Sequence, residues 1–243
     1  MDGTITKATE APAKFDARLM RVFVNVGGTA CAVWVLSHAL AVVIYMFERH
    51  AQAHPGLDVL VIHGAELVAS LLLIPYYGLG WREAGFQLPG EPIRWFANIA
   101  VVVFLNLALA GIMHLFHTPD THGGFSPIGT LVLLCAYVPL AEEVFVRGWF
   151  QTALLRRAGE TRAGFAVLGS SAFFAATHLF VGGGPIGTTV TVAGAFLMGL
   201  IAGNLRQRSR SLLPAIGMHV VYNLTGLFLA TPLYSLLASI LRR

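Results

Sequence analysis

Apolar stretches of about 20 residues, the length an α-helix needs to cross the hydrocarbon core of a bilayer, follow one another along most of this chain. They run over about 22–47, 59–79 and 95–116 and continue into the C-terminal half. Composition agrees: 56% of the 243 residues are hydrophobic and 12% are charged, against roughly 25% charged in a soluble domain. The fold class that follows is all-α, a polytopic transmembrane bundle of about seven to eight helices. Its length suits a single transmembrane domain over 21–243 behind a cytoplasmic tail, 1–20. That tail carries Lys7, Lys14 and Arg18 among Asp2, Glu10 and Asp16, and it lacks the short apolar core and small-residue cleavage site of a removable signal peptide. Cys31 and Cys135 each lie in an apolar run, giving neither a disulfide framework nor a CxxC metal signature.

The loops alternate in charge. His117 to Ser126 contains no Lys or Arg, whereas Arg156, Arg157 and Arg162 follow the fourth helix; the Gly182-Gly183-Gly184-Pro185 turn is uncharged, Arg206, Arg208 and Arg210 mark the next, and Thr231-Pro232 is neutral. By the positive-inside rule the N-terminus and the 80–94, 156–162 and 206–211 loops share the cytoplasmic side. Seven crossings satisfy this pattern, and the roughly ten apolar residues after Pro232 make a partial or tilted eighth helix. The formal charge of +4 is spread over these loops as topology requires, so no nucleic-acid partner is expected. The Trp81-to-Phe86 connection suits the headgroup region.

Within the fourth apolar stretch stand Glu142, Glu143 and Arg147. A charge at bilayer depth costs roughly 2.5 to 3.5 kcal/mol on the insertion scale, so such residues face the protein, pair and usually serve function. Neighbours on a helix are about 100° apart, so the two glutamates have different duties. Arg147 lies four residues beyond Glu143, on its face, and the two make an ion pair; Glu142 is left free to take a proton from water. Phe174 and His178 repeat the i, i+4 spacing on the fifth helix, as do His219 and Asn223 on the seventh. At about 1.5 Å per residue, Glu142 lies roughly 21 Å from Arg156 and His178 roughly 24 Å from Arg162, depths that agree. His219 is only about 14 Å from Arg210, which requires the arginine turn to fold into the bundle or the helix to tilt.

Glu-Glu-x-x-x-Arg, then Phe-x-x-x-His, then Pro-x-x-x-x-His-x-x-x-Asn, in order on core helices, resembles the CAAX protease and bacteriocin-processing family of intramembrane glutamic endopeptidases. The resemblance covers about 81–226, the expected catalytic core. It implies that Glu142 activates a water with help from His178, that His219 and Asn223 stabilise the oxyanion, and that Glu143, Arg147 and Phe174 support them. It further implies no obligatory cofactor, a membrane-associated protein or peptide substrate, and a multi-pass position in the bacterial inner (plasma) membrane with a cytoplasmic N-terminus.

Other readings stand beside this one. The charged cluster could be a buried ion-pair network, the histidines satisfied core residues, and Asn223 an ordinary interhelical hydrogen bonder. Two histidines and a glutamate are also a ligand set for catalytic zinc, although HExxH is absent. A non-catalytic scaffold or immunity-type protein and a proton-coupled carrier are the alternatives from other classes. His63 and Glu66, at i, i+3 in the second stretch, read as a water-facing pair near the outer surface, with a supporting or substrate-side feature of the site as the alternative, and His117, Asp120 and His122 as a solvated turn, with an outer-loop metal site as the alternative. His38 and His114 read as packing residues, and the 182–184 glycines as a connector without the Lys of a phosphate loop.

Overall fold

The computed structural model describes residues 17–48, 56–90, 94–116, 127–181 and 184–241. All regular structure among them is helical, as it must be where lipid offers the backbone no hydrogen-bond partner. Three helices lead: α1 (Ala17–Glu48), α2 (Leu57–Tyr76) and α3 (Trp95–Leu115). A continuous helix over 127–158, α4, widens to π-type turns at Thr130–Tyr137 and Val144–Gln151. Then come α5 (Ala163–Thr177), α6 (Pro185–Ser209) and α7 (Leu213–Thr225), which passes through a π turn at Gly226–Ala230 into α8 (Thr231–Leu241). His117, Asp120, His122, Gly182, Gly183 and most of the N-terminal tail lie outside the described residues.

Among the described residues five segments are long and apolar enough to cross a membrane: Ala17–Ile44, Leu57–Tyr76, Trp95–Leu115, Pro185–Ser209 and Leu213–Tyr234. Seven crossings are expected from the loop charges. The difference lies at α4 and α5: α4 is interrupted by its π turns and its charges, and α5 has 15 residues, short of the roughly 20 a crossing takes. The outer surface is itself apolar, with Leu36, Leu72, Phe96 and Phe104 exposed, a shell too large for a water-facing monomer.

Inside such a bundle the lipid tails are as apolar as the core, so helices associate through close packing and interhelical hydrogen bonds. Aromatic rings fill one side of α4: Trp149 packs edge-on to Tyr77 at 5.5 Å and stacks with Phe145 at 5.7 Å, while Phe150 meets Phe173 at 5.0 Å. On the other side α6 comes close. At Gly199 a Cβ would stand 3.0 Å from Ser171 Cβ and 3.1 Å from Arg147 Nη2, so a glycine here lets α6 approach both α4 and α5 without displacing either side chain.

The loops expected to share one side meet at one end of the bundle. Arg156 Nη1 donates to Glu83 Oε2 at 2.8 Å and to the Gly78 carbonyl at 2.9 Å. Arg206, buried, donates from Nη2 to the Glu83 carbonyl and to Thr152 Oγ1. The Leu212 amide donates to the Gly85 carbonyl at 3.0 Å, the Gly90 amide to Ser209, and Ser211 Oγ to the Gln87 carbonyl. The arginine turn is therefore folded into the bundle and latched to the 78–90 connection. This accounts for the short count from Arg210 to His219: the end of α6 is tucked in, and α7 starts from inside. Gly85 makes the latch possible, since it holds φ +95° and a Cβ there would lie 2.6 Å from Arg206 Nε. Phe23 against Phe165 at 6.2 Å brings the start of α1 to the same end.

Candidate active site

Glu143 is the hub. Its carboxylate is fully buried, and its Oε1 accepts from Arg147 Nη1 at 2.9 Å and from His219 Nδ1 at 2.9 Å. The first contact is the i, i+4 pair expected from spacing; the second joins α4 to α7. Arg147 is equally buried, and its guanidinium carbon sits 4.5 Å over the Phe174 ring, a cation–π contact that gains strength away from water. Its Nε and Nη2 have no hydrogen-bond partner among the described residues. Phe174 also meets His219 edge-on at 5.6 Å and His178 at 4.7 Å. One ring thus touches the cation and both imidazoles.

Glu142 sits beside this hub and is different in kind. Its side chain keeps 14% exposure while that of Glu143 keeps 0%, so it is the carboxylate that the protein does not fully enclose. Its Oε2 stands 3.6 Å from His219 Nε2, too long for a hydrogen bond but within ion-pair range. His219 therefore bridges the two glutamates, one on each ring nitrogen. Because Nδ1 must carry its proton to serve Glu143, Nε2 is the nitrogen turned to Glu142.

His178 caps the end of α5. Its Nδ1 donates to the Phe174 carbonyl at 2.8 Å and lies 3.2 Å from Thr177 Oγ1. A carbonyl only accepts, so Nδ1 holds the proton and Nε2 carries the lone pair. Among the described residues His178 makes no hydrogen bond or ion pair with Glu142; the two connect through Phe174 and His219.

Asn223 donates from Nδ2 to the Leu134 carbonyl at 2.6 Å. The reason lies in α4. In the π turn the Val138 amide bonds the Leu133 carbonyl five residues back, and the same register would pair Leu134 with residue 139. That residue is Pro139, which has no N–H. The carbonyl left over is the one Asn223 takes, leaving its second amide hydrogen and its Oδ1 for other partners. An interhelical bond is thus one duty of Asn223 whatever else it does.

The structure brings Glu142, Glu143, Arg147, Phe174 and His219 into contact, with His178 one ring away and Asn223 one turn beyond His219. Spacing alone does not show Gly199, Pro139, Leu134 or Arg206, which set these positions. Glycine inside an apolar stretch and proline inside a helix are the signals that mark two of them. His63 and Glu66 are also not the water-facing pair expected: Glu66 is buried, and its Oε2 accepts from His63 Nδ1 at 3.0 Å. Among the described residues no group of three or more His, Cys, Asp or Glu side chains is arranged to hold a metal ion.

Residues 124–225 match the family model described as type II CAAX prenyl endopeptidase Rce1-like. No curated protein and no solved structure matches the chain. The matched segment contains Glu142, Glu143, Arg147, Phe174, His178, His219 and Asn223, so the resemblance carried by the three motifs is borne out. Together with the five long apolar helices among the described residues, this makes the chain a multi-pass membrane protein whose residues 124–225 are similar to the type II CAAX prenyl endopeptidase Rce1-like family.

Proposed function

We propose that the protein is an intramembrane endopeptidase of the glutamic type, cleaving a peptide bond in a membrane-associated protein or peptide. The observation that supports this most is the division of the carboxylate pair: Glu143 is buried and saturated on one oxygen by Arg147 and His219, while Glu142 stays partly exposed beside the second nitrogen of His219. Glu142 takes a proton from water as its oxygen attacks the carbonyl, then hands that proton to the leaving amine. In its doubly protonated form His219 donates Nδ1–H to Glu143 and presents Nε2–H where negative charge develops. The second amide hydrogen of Asn223 serves the same oxyanion. His178, with its lone pair on Nε2, assists in orienting the water. Glu143, Arg147 and Phe174 hold these groups and touch no reacting atom.

The prenylated tail named in the family's description is the first substrate to try. The full chain, reconstituted in lipid nanodiscs with a cytoplasmic N-terminus in cells as the expected orientation, is given quenched fluorescent peptides with and without a farnesylated CAAX end. Cleavage that persists in chelator supports the glutamate mechanism. Cleavage lost to chelator and restored by zinc favours the zinc-dependent alternative, and binding without cleavage of any peptide favours the scaffold reading.

A further inference from the structure

A second carboxylate–imidazole pair lies outside the machinery just described. Glu66 is buried in the middle of α2, and a carboxylate at that depth is a functional candidate by its cost alone. Its Oε2 accepts from His63 Nδ1 at 3.0 Å, which leaves the lone pair of His63 on Nε2. Among the described residues Nε2 has no hydrogen-bond partner. The His63 side chain keeps 16% exposure, so it is not sealed.

The pair faces the helix that carries Glu142. Tyr137, on α4, donates to the Leu60 carbonyl at 3.0 Å, and a Cβ added at the next residue after His63, Gly64, would meet the Tyr137 hydroxyl at 3.0 Å. His63 is thus beside the stretch of α4 that runs from Tyr137 to Glu142, and the Glu142 carboxylate acts on it electrostatically, as do Glu66 and Asp58 from its own helix. From α1, also packed on α2, the titratable side chains described in Ala17–Ile44 are Arg18 and Arg21 in its first two turns, Cys31 and His38, and His38 Nδ1 is committed to the Trp34 carbonyl. Asp58 is exposed at the end of α2 away from the arginine latch.

We infer that His63, held by Glu66, is the residue that carries protons between the Glu142 site and water at the Leu57 end of α2. This rests on the hydrolytic reading above. Hydrolysis splits water between two products: Glu142 delivers one proton to the amine nitrogen, and the new carboxylic acid must lose the other to become a carboxylate. His63 Nε2 accepts that second proton, the imidazolium is balanced by Glu66, and the proton passes to water near Asp58, returning His63 to its starting form.

The test uses the full chain in nanodiscs and the farnesylated quenched peptide. His63→Ala is expected to lower kcat about 10- to 100-fold with KM within about twofold, and added imidazole is expected to restore much of the rate. Glu66→Gln is expected to change the pH profile with a smaller loss. His63→Gln serves if the alanine variant unfolds. Unchanged kcat and pH profile in folded His63 variants, or a loss that imidazole does not relieve, overturns the relay. Glu142→Gln is the control: wild-type cleavage there sinks the hydrolytic reading itself, whereas lost cleavage there with unaffected His63 variants sinks the relay alone. If no peptide is cleaved, nitrogen NMR of labelled histidine decides. The His63 titration midpoint is expected to differ between wild type and Glu142→Gln, and an identical midpoint overturns the inference.

Discussion

His219 and Glu143 are joined by a 2.9 Å hydrogen bond between two buried groups on different helices, and the same carboxylate oxygen holds Arg147 at 2.9 Å. One buried anion therefore sets the position of an imidazole and a guanidinium together, and the site inherits its geometry from that oxygen.

Removing the anion leaves a buried cation without a partner. Glu143→Gln is expected to destabilise the protein by about 3–5 kcal/mol, the usual cost of breaking a buried pair from one side, and to abolish cleavage because His219 loses its anchor. The double variant Glu143→Gln/Arg147→Met removes both charges and is expected to unfold at less than the sum of the single losses. Thermal unfolding in detergent micelles measures both.

Asn223 has a structural bond and a proposed catalytic one, and substitutions separate them. Asn223→Ala frees the Leu134 carbonyl and is expected to cost about 1–3 kcal/mol along with activity. Asn223→Asp replaces the amide donors by acceptors facing that carbonyl and is expected to cost at least as much. If Asn223→Ala loses stability while kcat stays within about twofold, the oxyanion role fails and the interhelical bond is its whole duty.

Close approach of α6 is a packing requirement of the site. Gly199→Ala forces a methyl against Ser171 and Arg147 and is expected to cost about 1–3 kcal/mol, as overpacking does, and to slow cleavage by displacing the guanidinium from Phe174. Differential scanning of the variant beside its cleavage rate checks this.

The latch at the bundle end gives a further test. Arg206→Met removes the donors to the Glu83 carbonyl and Thr152. The 78–90 connection is then expected to become sensitive to limited proteolysis, and kcat to fall as the start of α7 shifts His219. Unaltered proteolysis would show that the backbone bonds at Gly85, Gln87 and Gly90 suffice.

Much of this was legible in the residues. Hydropathy alone gives the all-helical bundle, since lipid permits little else, and the Glu143–Arg147 pair follows from helical spacing. Loop charge groups the 80–94, 156–162 and 206–211 loops together, and Glu83, Arg156 and Arg206 of those loops do meet at one end of the bundle. The contact from Glu143 to His219 was not legible: it spans separate helices, and spacing reports only neighbours on one helix. Pro139 announces a broken ladder, yet which side chain takes the spare carbonyl depends on how α7 packs. The His63–Glu66 pair reads as water-facing from its residue types alone, whereas Glu66 is buried and Tyr137 of α4 packs against the neighbouring residues Leu60 and Gly64. The five long apolar helices among the described residues are fewer than the seven crossings expected because π turns and charges divide α4 and α5 has 15 residues.

The most direct measurement is the cleavage rate of Glu142→Gln in nanodiscs, taken beside its unfolding temperature. The substitution keeps the shape and removes the base, so the expected result is a loss of about 10²-fold to 10⁴-fold in kcat with an unfolding temperature close to that of the wild type. A folded Glu142→Gln protein that cleaves at the wild-type rate would contradict the assignment of Glu142 as the reacting carboxylate.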